Sequence, residues 1–477
     1  MDTRNLPLGL TCLLASGLAL ALTLATIACG GSKTTTSTPA TTNVTMSDPA
    51  TCAGPNGPYS HVYVTVKDVE ASTDANATSG FADLTPALAT TPMQIDLLGQ
   101  ANNQCLLATL GSTTQLQPGN YQQIRLLLED NTSASLVAGN KCGSTAANCV
   151  VLNNGTVEAI QLSSEAQTGI KIPSGQIAGG QFVVAAGQTK DLNLDFNTCS
   201  SLVTEGNGQV RLKPVLHAGE ISTTSTSING TVVDKATGSA VVGGSVMVAL
   251  EQKDAAGIDR VMMATRADTS GHFVFCPVPA GTYDVVATGV SGANVAYAAT
   301  VTTGVANGTA MGNLPLVAET GIAGTTPGSI AGDVTTSTGS AGTGADITLS
   351  ALQAATVGGA SLTFTMPLVQ QSAATANVAT AAGVSCAANT DCVTYTLSVP
   401  AAAANAGVFA VAGTQYTQGS GAADYAVEGQ AAVPSSGGTA DCSPSVEPSS
   451  ITSANLSLAV TPGASVTAAV LAFSGCQ

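Results

Sequence analysis

Few residues in this chain have the type and spacing that chemistry requires. The three histidines, His61, His217 and His272, lie far apart in the sequence. His217 and Glu220 have an HxxE spacing that can place two ligands on zinc, but zinc needs further ligands and no other histidine is near. The motif also lies where a β-rich stretch ends. We therefore interpret the two residues as a surface pair at the end of a strand and expect no metal site.

A second set of polar residues, Asp191, Asn193 and Asp195, has the D-x-N-x-D spacing with which a calcium-binding loop begins. Such a loop needs a glycine next, and Phe196 stands there. The leucines between the polar residues alternate with them as in a β-strand, so one face of that strand is apolar. We predict a strand whose polar face lies in solvent.

Paired carboxylates are another source of acid-base chemistry. Asp68 and Glu70 share one face of a predicted strand, but no neighbouring residue marks them as an acid and a base. The sequence contains no GxSxG, SxxK, phosphate-binding loop or GxGxxG motif. We predict that the protein is not an enzyme and that it has no catalytic residues, no metal ligands and no cofactor.

The composition suits an exported β-rich protein. Hydrophobic residues make up 44% of the 477 residues, which is enough to build real cores. Charged residues make up only 9%, against about 25% in an average soluble protein, so uncharged polar residues must carry solubility. The formal net charge of -16 repels a phosphate backbone, and we therefore expect no nucleic-acid partner.

The N-terminus has the pattern of an export signal over residues 1–28, with Arg4 before a long apolar run that ends at Cys29. The residues "ATIAC" resemble the lipobox of bacterial lipoproteins, which implies a lipid on Cys29 and a membrane as partner. Thr26-Ile27-Ala28 also fits ordinary signal peptidase, so plain secretion stays open as the alternative. Residues 29–43 then form a Ser/Thr-rich tether. Gly30, the residue after Cys29, resembles the residue at that position in lipoproteins sorted to the outer membrane. We therefore expect an exported protein of the cell envelope at the outer membrane, and the sequence leaves open which face of the membrane it occupies.

The sequence has 12 cysteines, of which Cys12 lies in the export signal and Cys29 is the predicted lipid site. The remaining ten are an even number, which in an exported chain indicates disulfides. Spacing suggests three pairs: Cys142 with Cys149, Cys386 with Cys392, and Cys442 with Cys476. The other four allow three connectivities: Cys52, Cys105, Cys199 and Cys276.

Cys276 stands in a strand in which Phe273 and Phe275 point to the opposite side. If the phenylalanines fill the core, Cys276 lies on the outer face, where a lone thiol has no packing role. We therefore predict a bridge from Cys276 to Cys199 across a domain boundary. The pair Cys52–Cys105 would then close within the first domain.

Short alternating strands and turn residues continue along the whole chain after the tether, which predicts an all-β fold of tandem β-sandwiches. We divide it into a β-rich domain of unknown function over 44–220, a β-sandwich over 222–318 and an Ala/Gly/Ser-rich β-sandwich over 328–477. Asn154-Gly155 between apolar runs predicts a hairpin. A Ser-Ile-x-Gly-x-Val pattern opens both the second and the third region, which indicates an internal repeat.

Two resemblances follow from these segments. "ISINGTVVDKATGSAVVGGSVMV" and "ADTSGHFVFCPVPAGTYDVVATGV" resemble the carboxypeptidase-regulatory-like domain, a transthyretin-type sandwich. The resemblance implies that Tyr283 pins the returning strand to its turn and that Gly281 provides a turn backbone with positive φ. Pro118-Gly119-Asn120-Tyr121 repeats that pattern in the first region.

Residues 44–220, with "PYSHVYVTVKDVEAS", "LQPGNYQQIRLLL" and "RLKPVLHAGEI", resemble bacterial lipoproteins that carry domain of unknown function 4382. That family has no function to transfer. We expect a non-catalytic envelope lipoprotein with a structural or protein-interaction role and an envelope protein or glycan as partner. One alternative is a carbohydrate-binding surface protein, for which Tyr59, Tyr63 and Tyr297 are the candidate sugar platforms. The other is an uncharacterised hydrolase accessory module.

Overall fold

The structure is a computed structural model that describes only part of the chain. The described residues are 37–47, 58–101, 107–162, 165–196, 198–204, 208–212, 214, 216–221, 226–242, 245–319, 327–337, 346–367, 390–435, 438–441, 445–447 and 456–474. Several predictions fall outside them: the export signal, the lipid site Cys29 and five of the disulfide cysteines, Cys52, Cys105, Cys386, Cys442 and Cys476. Among the described residues, every helix is too short or too polar to cross a membrane.

The fold is all-β, as predicted. The first region contains the strands β1 (Ala40–Ser47), β2 (Tyr59–Ser72), β3 (Ala82–Asp83), β4 (Met93–Asp96), β5 (Ala108–Leu116), β6 (Gly119–Tyr121), β7 (Gln123–Leu128), β8 (Cys149–Leu152), β9 (Val157–Gln161), β10 (Ile170–Pro173), β11 (Phe182–Val184), β12 (Thr189–Phe196), β13 (Leu202–Thr204), β14 (Val210–Leu212) and β15 (Leu216–Ile221). Its helices are short: α1 (Leu97–Ala101), α2 (Thr198–Ser201) and the 3-10 turns Asn131–Leu136, Ser174–Gln176 and Ala178–Gly180.

Two main sheets enclose the core of the first region. One has the order β15-β12-β1-β5, and the other has the order β10-β7-β2-β8-β9-β14-β13, with β3 and β4 added to β2. The predicted Asn154-Gly155 hairpin is present, because β8 and β9 pair antiparallel on either side of it. Leucine, isoleucine and valine side chains of both sheets are buried together.

The first strand begins earlier than the sequence predicted. The tether was expected to extend to residue 43, but Ala40 already belongs to β1 and is buried together with Thr42. β1 runs parallel to β12, which comes far later in the chain. Because a composition rich in threonine looks the same in a tether and in a strand, only this long-range pairing identifies residues 40–43 as folded.

The second region contains β16 (Thr226–Asp234), β17 (Ser245–Lys253), β18 (Ile258–Arg266), β19 (His272–Val278), β20 (Thr282–Val290), β21 (Ala296–Ala306) and β22 (Ala310–Leu316). The third contains β23 (Gly328–Ser337), β24 (Asp346–Val357), β25 (Ala360–Thr365), β26 (Thr390–Val399), β27 (Asn405–Val408), β28 (Thr417–Gln418), β29 (Ala423–Ser435), β30 (Gly438–Asp441), β31 (Ser445–Glu447), β32 (Leu458–Val460), β33 (Ser465–Thr467) and β34 (Leu471–Ser474).

The second and third regions share one sheet, with the order β28-β27-β21-β20-β17-β18-β25-β24-β29-β30. At one junction β18 pairs parallel with β25 through Ile258 with Thr363 and Asp259 with Phe364. At the other, β21 pairs parallel with β27 from Thr300 with Asn405 onward. The predicted domains 222–318 and 328–477 thus share one continuous sheet, while each keeps a second sheet of its own, β19-β16-β22 and β26-β23-β33. Pairing between strands so distant in sequence leaves no local pattern that could predict it.

The internal repeat appears in the structure as two equivalent strands. β16 pairs antiparallel with β19 and parallel with β22, while β23 pairs antiparallel with β26 and parallel with β33 and β34. The glycine of each repeat lies beneath an aromatic ring: a Cβ at Gly230 would meet Phe273, and one at Gly332 would meet Tyr395. The repeated glycine therefore leaves room for the ring of the neighbouring strand.

The predicted tyrosine contact is present in both regions where the sequence placed it. Tyr283 Oη donates to the carbonyl of Pro279 at 3.1 Å, and Tyr121 Oη donates to the carbonyl of Gln117 at 2.7 Å. The expectation of a positive φ at Gly281 is wrong, since this glycine is not among those with positive φ. Its smallness matters for another reason, because a Cβ there would lie 3.1 Å from Tyr283 Oη.

Candidate functional site

The HxxE pair does not assemble a site. On the regular strand β15, residues three apart point to opposite faces, so His217 and Glu220 cannot bind one ion together. Glu220 forms an ion pair with Lys190 at 2.6 Å, as a strand-edge residue would. His217 is half-buried, and its Nδ1 is buried without a hydrogen-bond partner among the described atoms. Burial lowers the pKa of His217 to about 4.

The polar face of β12 was predicted to lie in solvent, but most of it is buried. Asn193 and Asp195 are buried, and β1 supplies their partners through side-chain hydrogen bonds. Ser47 Oγ donates to Asp195 Oδ1 at 2.7 Å, and Asn193 Nδ2 donates to Ser47 Oγ at 2.8 Å. Asp191 accepts a hydrogen bond from the Asn43 side chain at 2.6 Å. The alternation was predicted correctly, but a sequence pattern cannot show that another region covers the polar face.

The covering element is β18 of the second region. The backbone N–H of Ala264 donates to Asp195 Oδ2 at 3.0 Å, and β15 packs against the same strand, where a Cβ at Gly219 would lie 2.4 Å from Met262. Ala178, from the 3-10 turn Ala178–Gly180, packs into the hydrophobic core of the second region. Burial raises the pKa of Asp195 to about 7, against the opposing effect of its hydrogen bonds from Ser47 and Ala264.

A carboxyl cluster surrounds Asp68 and Glu70 in the first region. The sequence did not connect them with Asp83, which β3 brings opposite Glu70. Burial raises the pKa of Asp68, and its contact with Asp83 raises it further. Thr85 Oγ1 donates to Asp68 Oδ1 at 3.1 Å. The two-residue strand β3 carries too weak a sequence signal for this contact to be predicted.

One predicted disulfide is present: Cys142 and Cys149 are bonded and lie buried beside Tyr63. Cys276 and Cys392 are also disulfide-bonded. Their predicted partners, Cys199 and Cys386, stay predictions, as do the pairs Cys52–Cys105 and Cys442–Cys476.

Cys276 does not lie on an exposed face. Phe273 and Phe275 fill the core of the second region as predicted, but Cys276, which points the other way, is only 7% exposed. Both faces of this part of β19 are therefore covered. Cys276 thus points away from the phenylalanine core, as expected, on a face that neighbouring residues cover.

A dense set of charged side chains lies at the β18–β25 junction. Glu251 of β17 and Asp259 of β18 have no exposed surface. Lys253 Nζ lies 3.1 Å from both carboxylate oxygens of Asp259 and 2.7 Å from Asp284 Oδ2 on β20. Glu251 Oε2 accepts the backbone N–H of Thr365, which belongs to the third region, at 3.2 Å.

A second ion-pair group extends the same junction. Arg260 Nε donates to Asp254 Oδ2 at 2.9 Å, and another guanidinium nitrogen donates to Glu428 Oε2 at 3.0 Å. Glu428 lies on β29, so this arginine connects the second region to the third. Burial opposes the charge of Arg260, but the two carboxylates outweigh it and raise its pKa.

The end of the second region is also held by a buried acid. Glu319 has no exposed surface, and its Oε1 accepts the backbone N–H groups of Ala401 and Ala402 at 2.6 and 3.1 Å. Burial raises the pKa of Glu319, while these two N–H groups oppose the shift. The end of the second region is therefore held directly on the third.

A groove of about 870 Å³ lies between the second and third regions. One wall carries Asp234, Lys235 and Asn313, and the other carries Phe409 and Val411 from the loop between β27 and β28. Lys235 Nζ donates to the side chain of Asn405 at 3.0 Å, which ties the polar wall to β27. The loop has an apolar tip, since Val411 is 95% exposed.

The tyrosines proposed as sugar platforms are not available as flat exposed rings. Tyr59 and Tyr297 are buried. Tyr63 stacks on His61 with ring centroids 5.5 Å apart, and His61 Nδ1 lies 2.7 Å from Asp96 Oδ2. Within the described parts of the chain, no cluster of three or more His, Cys, Asp or Glu side chains is arranged to hold a metal ion.

Comparison with known proteins gives one family match, which lies in the first region. Residues 39–214 match the family described as Domain of unknown function (DUF4382). No curated protein matches the chain.

Three solved structures show loose similarity. A shaft pilin SpaA from Lactobacillus rhamnosus GG is 10% identical, with 59% of this chain and 98% of that chain covered and a TM-score of 0.16. A streptococcal ancillary pilin is 10% identical, with coverage of 80% and 95% and a TM-score of 0.15. A DUF3823 family protein from Bacteroides uniformis is 13% identical, with coverage of 46% and 98% and a TM-score of 0.14. Superpositions this loose carry no inference about function.

Proposed function

We propose that the protein is a non-catalytic structural or interaction protein of the cell envelope, in which three β-rich regions act as one rigid body. The observation that carries this proposal is the direct connection between regions. Asp195 accepts a backbone N–H of the second region, Arg260 bridges to Glu428 of the third, and two parallel strand pairings continue the sheet. Buried polar bonds and shared strands resist relative motion of the parts they join.

The proposal includes an export signal, a lipid on Cys29 and a location at the outer membrane. It also assigns the second region to the carboxypeptidase-regulatory-like sandwiches. The support for export and lipid is the "ATIAC" pattern after an apolar run. Intact mass of the mature protein tests this part: we expect an N-terminal diacylglyceryl-modified Cys29. A retained Met1, or an unmodified Cys29, would contradict the proposed lipid anchor.

The groove beside Val411 is the candidate interaction surface. Exposed apolar residues at the tip of a loop suit contact with another protein, because burying them on binding removes apolar surface from water. A sugar would instead need exposed aromatic faces, and Tyr59 and Tyr297 are buried. The partner that fits this surface is therefore an envelope protein.

Site-specific photo-crosslinking in intact cells tests the interaction role. A photoreactive residue at position 411 should yield one discrete protein adduct, and the same residue at the exposed Thr461 serves as the matched control. Equal adduct patterns at both positions would remove the groove as an interaction surface. Binding of the purified protein to a glycan array, with no protein adduct, would favour the carbohydrate alternative.

A further inference from the structure

The β18–β25 junction joins the second region to the third with very little backbone pairing. Only two residue pairs connect these strands, Ile258 with Thr363 and Asp259 with Phe364. The other junction, β21–β27, has four residue pairs. Side chains must therefore supply much of what holds β18 against β25.

Those side chains are mostly acids. The groups that face one another come from every element packed at the junction: Glu251 and Lys253 on β17, Asp254 in the following turn, Asp259 and Arg260 on β18, Asp284 on β20 and Glu428 on β29. Five carboxyl groups thus meet two cations. With every carboxyl ionised, the junction holds an excess of negative charge, part of it on Glu251 and Asp259, which have no exposed surface.

Glu251 is at the centre of this imbalance. Its side chain has no exposed surface, Oε2 accepts the Thr365 N–H, and Oε1 has no hydrogen-bond partner among the described residues. A neutral carboxylic acid can occupy this position at little cost, whereas a carboxylate would face Asp259 and Asp284 with only one hydrogen bond.

We propose that the β18–β25 junction is a pH-responsive joint between the second and third regions, closed in acid and open in alkali. Protonated carboxyls relieve the charge excess, so the two strands pair and Thr365 stays bonded to Glu251. When Glu251 ionises, its carboxylate, which has no exposed surface and contacts Thr365 of β25, regains water only if β25 withdraws, so ionisation favours the open junction. Among the described residues, the β21–β27 junction carries no such cluster and keeps the two regions connected.

The directions of the pKa shifts agree with a junction that is closed in acid and open in alkali. Burial, followed by repulsion from Asp259, raises the pKa of Glu251 well above its ordinary value. Burial and the neighbouring Asp284 raise the pKa of Asp259, and Lys253 opposes this shift. A group whose pKa is raised by folding stabilises the folded form at low pH and loses that effect as the pH rises through its folded value.

Backbone hydrogen exchange of the full chain, corrected for the intrinsic pH dependence of exchange, tests the joint. Between about pH 5 and about pH 9, protection of β25 peptides that contain Thr365 should fall by about tenfold or more, since one pKa unit corresponds to tenfold in the equilibrium. Peptides of β21 and β27 are the internal control and should keep their protection. Equal loss at both junctions, or no loss at either, would overturn the proposal.

Variants separate the joint from general alkaline unfolding. Glu251→Gln keeps an acceptor for Thr365 but cannot ionise, so β25 protection should persist at about pH 9. Asp424→Asn changes an exposed carboxylate of β29 and should behave like the wild type. If Glu251→Gln does not fold, Asp284→Asn removes one charge that repels Glu251 and Asp259, so the loss of β25 protection between about pH 5 and about pH 9 should be smaller than in the wild type. Wild-type behaviour of both Glu251→Gln and Asp284→Asn would contradict the proposal.

Discussion

At the scale of the residue, Asp195 shows how a side chain can be assigned to the correct strand face and still be given the wrong role. Its position opposite the leucines of β12 follows from alternation, which is local and visible in sequence. Its burial follows from Ala264, which approaches from another region. A polar side chain that appears solvated in a sequence is here an acceptor that joins two regions.

Asp195→Ala should lower the free energy of unfolding by about 2 kcal/mol, because it leaves the Ser47 hydroxyl and the Ala264 N–H buried without an acceptor. Asp195→Asn, which keeps one acceptor oxygen, should cost less. Urea denaturation measures both, and the exposed Asp424→Ala is the control. Indistinguishable effects of Asp195→Ala and Asp424→Ala would show that the contact between the regions contributes nothing.

The contact of Gly281 with Tyr283 was also predicted correctly, but for the wrong physical reason. The sequence correctly paired this glycine with Tyr283, and the tyrosine does bond the turn carbonyl of Pro279. The expected positive φ is absent, and the ring beside the glycine explains the small residue instead. A glycine in a pattern identifies a close or unusual backbone, and only coordinates distinguish these two causes.

At the scale of the element, strands and hairpins were predictable because their signals are short-range. The Asn154-Gly155 hairpin and the repeated first strands, β16 and β23, appear where the sequence placed them. The pairings of β1 with β12 and of β18 with β25 were not predictable, since each joins segments far apart in the chain. The contact between β15 and β18 belongs to this second class.

Gly219→Ala tests that contact directly. The added methyl group would lie 2.4 Å from Met262 Cγ, so β15 and β18 must move apart or the methionine must adopt another rotamer. We expect a loss of about 1–3 kcal/mol in the free energy of unfolding, as for other overpacked sites. In the double variant with Met262→Ala, the space returns and part of the loss should be recovered. Equal destabilisation of Gly219→Ala with and without Met262→Ala, measured by urea denaturation, would contradict this packing.

At the scale of the whole molecule, buried acids set the response of stability to pH. Burial raises the pKa of Asp68, Asp195, Glu251 and Asp259, and their stabilising effect is therefore lost as the pH rises from about 4 through neutrality. His217 acts in the opposite sense: its pKa is lowered to about 4, so it destabilises the fold as the pH falls below about 6.5.

Because the raised acids outnumber the one lowered histidine, the melting temperature should be higher at about pH 5 than at about pH 8. Scanning calorimetry in buffers of matched ionic strength measures the difference. Asp195→Asn should make the melting temperature depend less on pH, since this variant lacks the Asp195 carboxyl that titrates. A melting temperature that increases from about pH 5 to about pH 8 would contradict the assignment of these carboxyls as buried and protonated in the fold.

The central claim is that the three β-rich regions form one rigid body. Distances between spin labels test it most directly, with labels introduced as noncanonical residues at the exposed positions 89, 256 and 461 so that the native disulfides are preserved. At about pH 5, well below the raised pKa of Asp259, we predict a single narrow distance distribution for each of the three label pairs. Broad distributions for these label pairs, each of which joins two different regions, would show independent domains and contradict the account.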